Sequence, residues 1–472
     1  MSTDKNLRLD MEIVHIKDIR FGAKTEVRSG ILFINKQEMV EAIADPFFSS
    51  IDIDLARPGE SVRIIPVKDV VEPRVKLDGK GAGSSFPGFA GAYEGCGEGR
   101  LKVFKGCAIV TTGTIVGVQE GVIDMKGTCA DYCYYSKLNN IVVVGNCPDG
   151  TEPHAHETAC RLLGLHAANY VAEAAKDAEV DAYETYQLTP VDPAAKLPRA
   201  GVIYMAMAQG LIHDNYIYGV NAGKTNPVFM NPNEIFDGAI VNGCCVIASD
   251  KNTTWDHQNN PLLKELYKHH GVDLEFGGCI VTPTHTVLHD KERNSHAAVR
   301  MARSLGWDVV AVVEEGAGNP DADLMMMIRS LEKAGIKTVG MLSACCGEEG
   351  TTDSTPEADA CINTGTDADY IPVHLEKMDK VIGDARQIRV LSGGSLDGYN
   401  GDGSVDVNMV AIMCSMKPDG DDQDVLCGSV RRMGKNEDYS LYMRNIFFHK
   451  YFFHEINVLS LQYILLHFPC NT

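Results

Sequence analysis

The stretch Asp308-Val-Val-Ala-Val-Val-Glu-Glu-Gly-Ala-Gly-Asn-Pro-Asp-Ala-Asp323, followed on to Leu342, decides the fold. Residues 309–313 are an unbroken apolar run of the kind that a strand buried on both faces requires. Residues 314–319 form a glycine-containing turn. Asn319 is the expected N-cap and Pro320 the first helical residue, with Asp321 and Asp323 in the first turn, where the helix dipole favours acids. Lys333 falls in the last turn, Gly335 is placed to end the helix, and residues 339–342 make the next strand. Strand, turn, helix and strand compose a βαβ unit, which implies parallel pairing.

The same alternation extends on both sides of this unit. From about residue 151 strands and helices alternate, so the expected class is α/β with a mostly parallel sheet. Around His156 the pattern turns helical, with Ala159, Leu162, Leu163, Ala167, Tyr170 and Ala174 recurring on one face. The first 150 residues read as β-rich: apolar runs at 13–16, 62–66, 108–112 and 141–144 are separated by glycine-rich turns, and 79–91 holds five glycines. The expected organisation is a β-rich domain at 1–150, α/β domains at 151–430 and an atypical, aromatic-rich, peripheral tail at 431–472. Lys450, Glu455, Asn457 and Gln462 interrupt every long apolar window of that tail, so it is not a membrane span.

Composition narrows the partners. The net charge of −21 argues against nucleic acid or an anionic membrane surface as the main partner and is compatible with small zwitterions. Fifteen cysteines occur in a long chain that opens Met1-Ser-Thr-Asp-Lys5, without an apolar signal region, so a cytoplasmic location with reduced thiols is expected. His285 with His289, His154 with His156, Cys129 with Cys133 and the pair Cys345-Cys346 resemble metal spacings. None makes half of a four-ligand set, so no metal is expected. The pair Cys345-Cys346 keeps some weight as a thiol at the ligand edge of the sheet.

Two places carry chemistry. The turn with Gly316, Gly318 and Asn319 would present backbone donors at the carboxyl edge of the sheet, the usual ligand face of open α/β domains. It lacks the third glycine of a dinucleotide fingerprint, and the acids after it suit an amino or ammonium group; a tight structural turn is an equally good reading. The second place is Gly238-Ala-Ile-Val-Asn-Gly-Cys-Cys-Val-Ile-Ala-Ser-Asp250. A cysteine at a strand end can attack the carbonyl of its own preceding peptide bond to give a thioester. β-Elimination then breaks the chain and leaves dehydroalanine, which hydrolyses to a pyruvoyl group. Peptide planarity opposes this, so strain and a nucleophilic sulfur are needed. On spacing alone, Cys244 and Cys245 read better as buried small hydrophobes.

The surrounding sequence reverses that preference. Ile16-Lys-Asp-Ile-Arg-Phe-Gly22, Ala56-Arg-Pro-Gly-Glu-Ser-Val-Arg63, Pro66-Val-Lys-Asp-Val-Val-Glu-Pro-Arg74, Phe86-Pro-Gly88 and Gly117-Val-Gln-Glu-Gly-Val-Ile-Asp-Met125 come first. Asn231-Pro-Asn-Glu-Ile235, Asp250-Lys-Asn-Thr-Thr254 and Gly316-Ala-Gly-Asn-Pro-Asp-Ala-Asp323 follow in order. Together, over about residues 10 to 430, they resemble the component B proprotein of glycine, sarcosine and betaine reductases.

The resemblance implies that Cys245 becomes the pyruvoyl group after cleavage behind Cys244, where the family has Asn. It implies a substrate-binding part of a selenium-dependent reductive deaminase acting on glycine, sarcosine or betaine and leading to acetyl phosphate. The self-derived pyruvoyl group is the only cofactor implied, with no nucleotide. The implied partners are a selenocysteine-containing third subunit of component B, selenoprotein A and component C, in a hetero-oligomer. The pyruvoyl carbonyl would form an imine with a primary amine, which betaine cannot do. A D-proline reductase-like pyruvoyl subunit and an uncleaved amino-acid-binding scaffold are the alternatives.

Overall fold

The structure, a computed structural model, describes residues 7–79, 82–83, 85–116, 121–209, 214–244, 251–316, 318–342, 361–363, 372–384, 394–415 and 431–433. All six residues of the strand Val309–Glu314 are buried. It pairs in parallel with Lys337–Leu342 through the helix Asn319–Lys333. Leu324, Met327, Ile328 and Leu331 are the buried stripe of that helix, at the spacing that places side chains on one face. Gly335, at φ +83°, turns the chain out of it. The N-cap is Gly318 rather than Asn319, one residue earlier than the propensity order suggests. Asp321 explains the shift: its carboxylate accepts from the Gly318 N–H at 3.0 Å, so a side-chain acceptor at the cap itself is unnecessary.

This unit belongs to a seven-stranded sheet in the order Val228–Met230, Glu275–Pro283, Arg199–Ala206, Val309–Glu314, Lys337–Leu342, Cys361–Asn363, Arg431–Met433. The four inner pairings are parallel and the two outermost antiparallel. The class is therefore α/β. One face of the sheet is covered by the helices Leu288–Ser304 and Asn319–Lys333, with Ala298, Val299, Leu324 and Ile328 against Ile203, Val310 and Val312. The other face packs on Leu9, Met11, Ile13, Leu101 and Val103 and on the helix Pro261–His269 through Leu262, Leu263 and Leu266.

The N-terminal half is built of smaller sheets, as its short apolar runs suggest. The strands Ser50–Ala56, Asn139–Asn146, Cys107–Gly113 and Asp69–Val71 form one; Ala182–Gln187, Arg8–His15, Gly99–Lys105 and Arg74–Lys76 form another. Two later segments join these early sheets: Ala182–Gln187 pairs with Arg8–His15, and Lys380–Gly383 pairs with Val62–Ile65. The helix Pro153–Ala174 differs from the simple amphipathic reading. It is enclosed on most sides, Leu162 and Tyr170 are only partly buried, and Ala174 is exposed. His156, Glu157 and Arg161 are inside instead. The apolar period misled because the helix is central, where polar side chains can pair with one another. Among the described residues no helix is long and apolar enough to cross a membrane.

Trp307 lies in a slot made by two strand glycines. A Cβ at Gly201 would sit 2.2 Å from Cδ2 of Trp307, and one at Gly277 would sit 2.2 Å from Nε1. Gly201→Ala therefore overfills the sheet face and is expected to destabilise the fold by about 1–3 kcal/mol. Thermal melting and tryptophan emission check this; an unchanged midpoint with unchanged emission would show that the slot has room.

Candidate active site around Cys244

The short strand Ile240–Asn242 is fully buried and pairs antiparallel with Asn215–Ile217. Gly243 follows, its N–H donating to the Asp214 carbonyl at 2.6 Å. Cys244 comes next, completely buried and at φ +48°, a left-handed conformation that costs an ordinary L-residue about 1–2 kcal/mol. Glycine and asparagine tolerate that conformation best, and a β-branched residue tolerates it least. Burial pushes the Cys244 thiol well above its ordinary pKa, with Asp69, Cys160 and Glu157 adding to the rise and Arg161 opposing it. Cys245, like Cys345-Cys346, lies outside the described residues.

Both ends of the segment that carries Cys245 are tied to buried acids. Asp69 Oδ1 accepts from Asn242 Nδ2 at 3.0 Å, from the Thr254 N–H at 3.0 Å and from the Val70 N–H at 2.9 Å. Its Oδ2 accepts from Thr254 Oγ1 at 2.7 Å, and that hydroxyl oxygen accepts in turn from the Asn242 N–H at 3.0 Å. Burial raises the Asp69 pKa to about 6, with these donors holding it down. Thr253 then caps the helix Thr254–Gln258 reciprocally with Asp256.

A second set of charges lies close to Cys244. Arg161 Nε donates to Glu157 Oε1 at 2.8 Å, and Tyr216 donates to Glu157 Oε2 at 2.9 Å. The guanidinium also stands over the Tyr216 ring, 3.8 Å from its centre. Lys68 Nζ reaches the Thr114 carbonyl at 2.6 Å, His156 Nε2 at 3.0 Å and Cys160 Sγ at 3.4 Å. Burial, then the Lys68 charge, lowers the His156 pKa to about 3, so its neutral ring accepts from the ammonium. Apart from His156, weighed above only as a metal-like spacing, these residues were missed in the sequence. The available signal was His156, Glu157, Cys160 and Arg161 at helical spacing inside an otherwise apolar period.

The glycine turn adjoins the far end of the same segment. Glu315, fully buried, accepts from the Asn252 N–H at 3.0 Å and Tyr204 Oη at 2.7 Å on one oxygen. On the other it accepts from Asn215 Nδ2 at 2.6 Å and the Met207 N–H at 2.8 Å. Gly316 is buried at φ +89°, where a Cβ would meet Pro320 at 2.7 Å; Gly318 and Asn319 are exposed. The acids beyond are already engaged: Asp323 is paired with Lys291, whose Nζ also reaches the Asn319 carbonyl at 2.9 Å. His154 and His289 are exposed, His285 is half-buried, and Cys129 and Cys133 are buried. Among the described residues no three His, Cys, Asp or Glu side chains gather to hold a metal. A cleft of about 660 Å³ is lined by Glu72, Lys105, Tyr134, Trp255, Asn259 and Lys264, among others, and by none of Cys244, Gly316, Gly318 or Asn319.

Fold and site define an α/β protein in which a strained, buried cysteine precedes a second cysteine between two anchored chain ends. The family described as glycine/sarcosine/betaine reductase component B subunits matches residues 7–423. A protein of Acetoanaerobium sticklandii named "Glycine reductase complex component B subunits alpha and beta" is 44% identical over 416 residues, covering 86% of this chain and 96% of that one. "Sarcosine reductase complex component B subunit alpha" of Peptoclostridium acidaminophilum is 44% identical over 418 residues, 87% of this chain and 97% of that one. "Betaine reductase complex component B subunit alpha" of the same organism is 36% identical over 434 residues, 86% of this chain and 97% of that one. No solved structure matches the chain. The chain belongs to the glycine/sarcosine/betaine reductase component B family, and so to the oxidoreductases.

His257 gives the site a pH dependence. It is fully buried 3.7 Å from Glu315, and burial lowers its pKa to about 3, with Lys251 adding to the fall and Asp256 opposing it. A base depressed in the folded state contributes stability that is complete above its unfolded pKa near 6.5 and is lost as the pH falls towards 3. Going from pH 8 to pH 5 should cost about 2 kcal/mol from this residue alone. His257→Phe should flatten that part of the profile of thermal midpoint against pH; identical slopes in variant and parent would show that His257 does not titrate as a buried base.

Proposed function

We propose that the chain is a self-cleaving precursor of two subunits of a reductase acting on glycine or an N-methylated glycine. The observation that carries this is Cys244, a fully buried non-glycine residue held left-handed immediately before Cys245. A relative whose name gives one chain as subunits alpha and beta, matched over 86% of this one, supports the same reading. In the first step the Cys245 sulfur bonds to the Cys244 carbonyl carbon, the peptide C–N bond breaks, and the thiol proton ends on the Cys245 nitrogen. Loss of the Cys245 α-proton and cleavage of its Cβ–S bond then release the upstream fragment as a thioacid and leave dehydroalanine. Tautomerisation, addition of water and loss of ammonia give the pyruvoyl end.

Burial holds the Cys244 thiol protonated and so makes it a poor nucleophile, which supports Cys245 as the attacking residue. The surroundings suit a small carbonyl group, since Asn242, Lys251, Asn252 and Thr254 border the two chain ends with buried polar side chains. A pyruvoyl group there would supply an electrophilic carbonyl that makes a substrate nitrogen a better leaving group. The equal identities to the glycine and sarcosine proteins, against 36% for the betaine protein, favour a substrate bearing N–H. The turn at Gly316, Gly318 and Asn319 is the proposed neighbour of that substrate, because Glu315 joins it to Asn252. The larger assembly belongs to the same proposal: a selenocysteine-bearing subunit, selenoprotein A, component C and acetyl phosphate as product, in the cytoplasm.

Denaturing electrophoresis of the purified protein should show two fragments of nearly equal size, residues 1–244 and 245–472; a single full-length band would favour the uncleaved scaffold. Cys245→Ala should abolish cleavage and carbonyl content, whereas Cys245→Ser should cleave slowly through an ester. Two fragments from Cys245→Ala would place the break elsewhere. The halves should also co-elute on size exclusion under native, reducing conditions. Arg199–Ala206, upstream of the break, lies between the downstream strands Glu275–Pro283 and Val309–Glu314, so separation would require tearing the sheet.

A further inference from the structure

Thr254 and Asn242 meet although eleven residues of chain, including both adjacent cysteines, lie between them. Asp69, from a strand far away in the sequence, binds both of them at once. We infer that Asp69, acting with Thr254 and Asn242, is the positioning device for self-cleavage: it clamps the chain ends so that the Cys244 carbonyl is presented to the Cys245 sulfur. This rests on the self-cleavage reading above.

Three features of the geometry point the same way. The clamp is specific to this segment, since the side chain and the backbone N–H of Asn242 and of Thr254 are all engaged in it. It is reinforced inside each end: the Gly243 N–H, one residue in from Asn242, and Lys251 Nζ, three residues in from Thr254, donate to the same Asp214 carbonyl. Asn252, next in the chain, is fixed to Glu315. And the residue that emerges from the clamp, Cys244, is completely buried and held in the left-handed region without being glycine. A backbone in that conformation persists only where its surroundings over-determine it, and such places concentrate where strain serves a reaction. An intramolecular attack gains most when the reacting atoms are held near contact before reaction, and a small misplacement can slow it a hundredfold. Asp69 and Thr254 need not touch the reacting atoms to exert that effect.

The test uses the full chain with the variants Asp69→Asn, Asp69→Ala, Thr254→Val and Thr254→Ser. Newly made protein is followed by denaturing electrophoresis, with a parallel sample treated with hydroxylamine, which cuts any waiting thioester. Thermal midpoints report folding. Thr254→Ser keeps the hydroxyl and should process within about twofold of the parent. Asp69→Ala and Thr254→Val should process at least about tenfold more slowly, with no thioester accumulating, because the first step is the one impaired. Asp69→Asn keeps one oxygen acceptor and should be slowed while melting close to the parent, so the inference stays testable where the alanine variant fails to fold. Folded Asp69→Asn and Thr254→Val proteins that process at the parental rate would overturn the clamp and leave self-cleavage standing. A slow variant that accumulates hydroxylamine-sensitive thioester would also overturn it, by placing the defect in the elimination. A parent chain that never cleaves would overturn both.

Discussion

The parallel pairing of Arg199–Ala206 with a strand on each side is the constraint from which the rest of the structure follows. A strand in that position is buried on both faces, so helices must cover one side of the sheet and another apolar layer the other. Here Leu288–Ser304 and Asn319–Lys333 provide the first layer, while the strands around Leu9 and Leu101 help to provide the second. Parallel strands also end together, so the segments that leave their carboxyl ends share one edge. Met207, Thr284 and Glu315 all follow such ends, and Glu315 accepts the hydrogen bonds that fasten Asn252 and Asn215 there.

Around Cys244 the interior is polar to an unusual degree. Asp69, Glu157, Arg161, Lys68 and His156 are all removed from water. Each is engaged by specific partners, as burial of charge requires. The arrangement is rigid rather than adaptable, because removing Arg161 or Glu157 leaves its partner uncompensated, which commonly costs about 3–5 kcal/mol for a buried ion pair. Rigidity of this kind suits a residue held in an unfavourable backbone conformation. Removal from water, with Asp69, Cys160 and Glu157 nearby, keeps the Cys244 thiol protonated. Of two neighbouring cysteines, one is thereby held out of nucleophilic chemistry by its environment.

Several stretches that look unrelated along the chain become one neighbourhood in space. The segment from Pro66 to Arg74 supplies Lys68 and Asp69, the segment from Asp250 to Thr254 supplies Lys251, Asn252 and Thr254, and the turn after Val313 supplies Glu315. Each is short and polar, and each ends or begins an element. Their common feature is that they meet at the two ends of the segment carrying Cys245.

The sequence by itself determined the local elements whose signals are contiguous. The run 309–313, the acids after Pro320 and the glycine at 335 are near-neighbour preferences of backbone and dipole, and they place a strand, a helix and its end to within a residue. The adjacent cysteines and the ordered motifs around them likewise pointed to one place in the chain and one family. What the sequence could not express is which distant residues share a dielectric environment. The apolar period of the helix Pro153–Ala174 suggested one buried face, yet His156, Glu157 and Arg161 are inside because Lys68 and Tyr216 arrive from other elements to meet them. Nor does any local pattern join Asp69 to Thr254 across 185 residues. Those contacts exist only once the sheets have brought their strand ends together, so the left-handed turn at Cys244 and the clamp beside it were decided by tertiary structure alone.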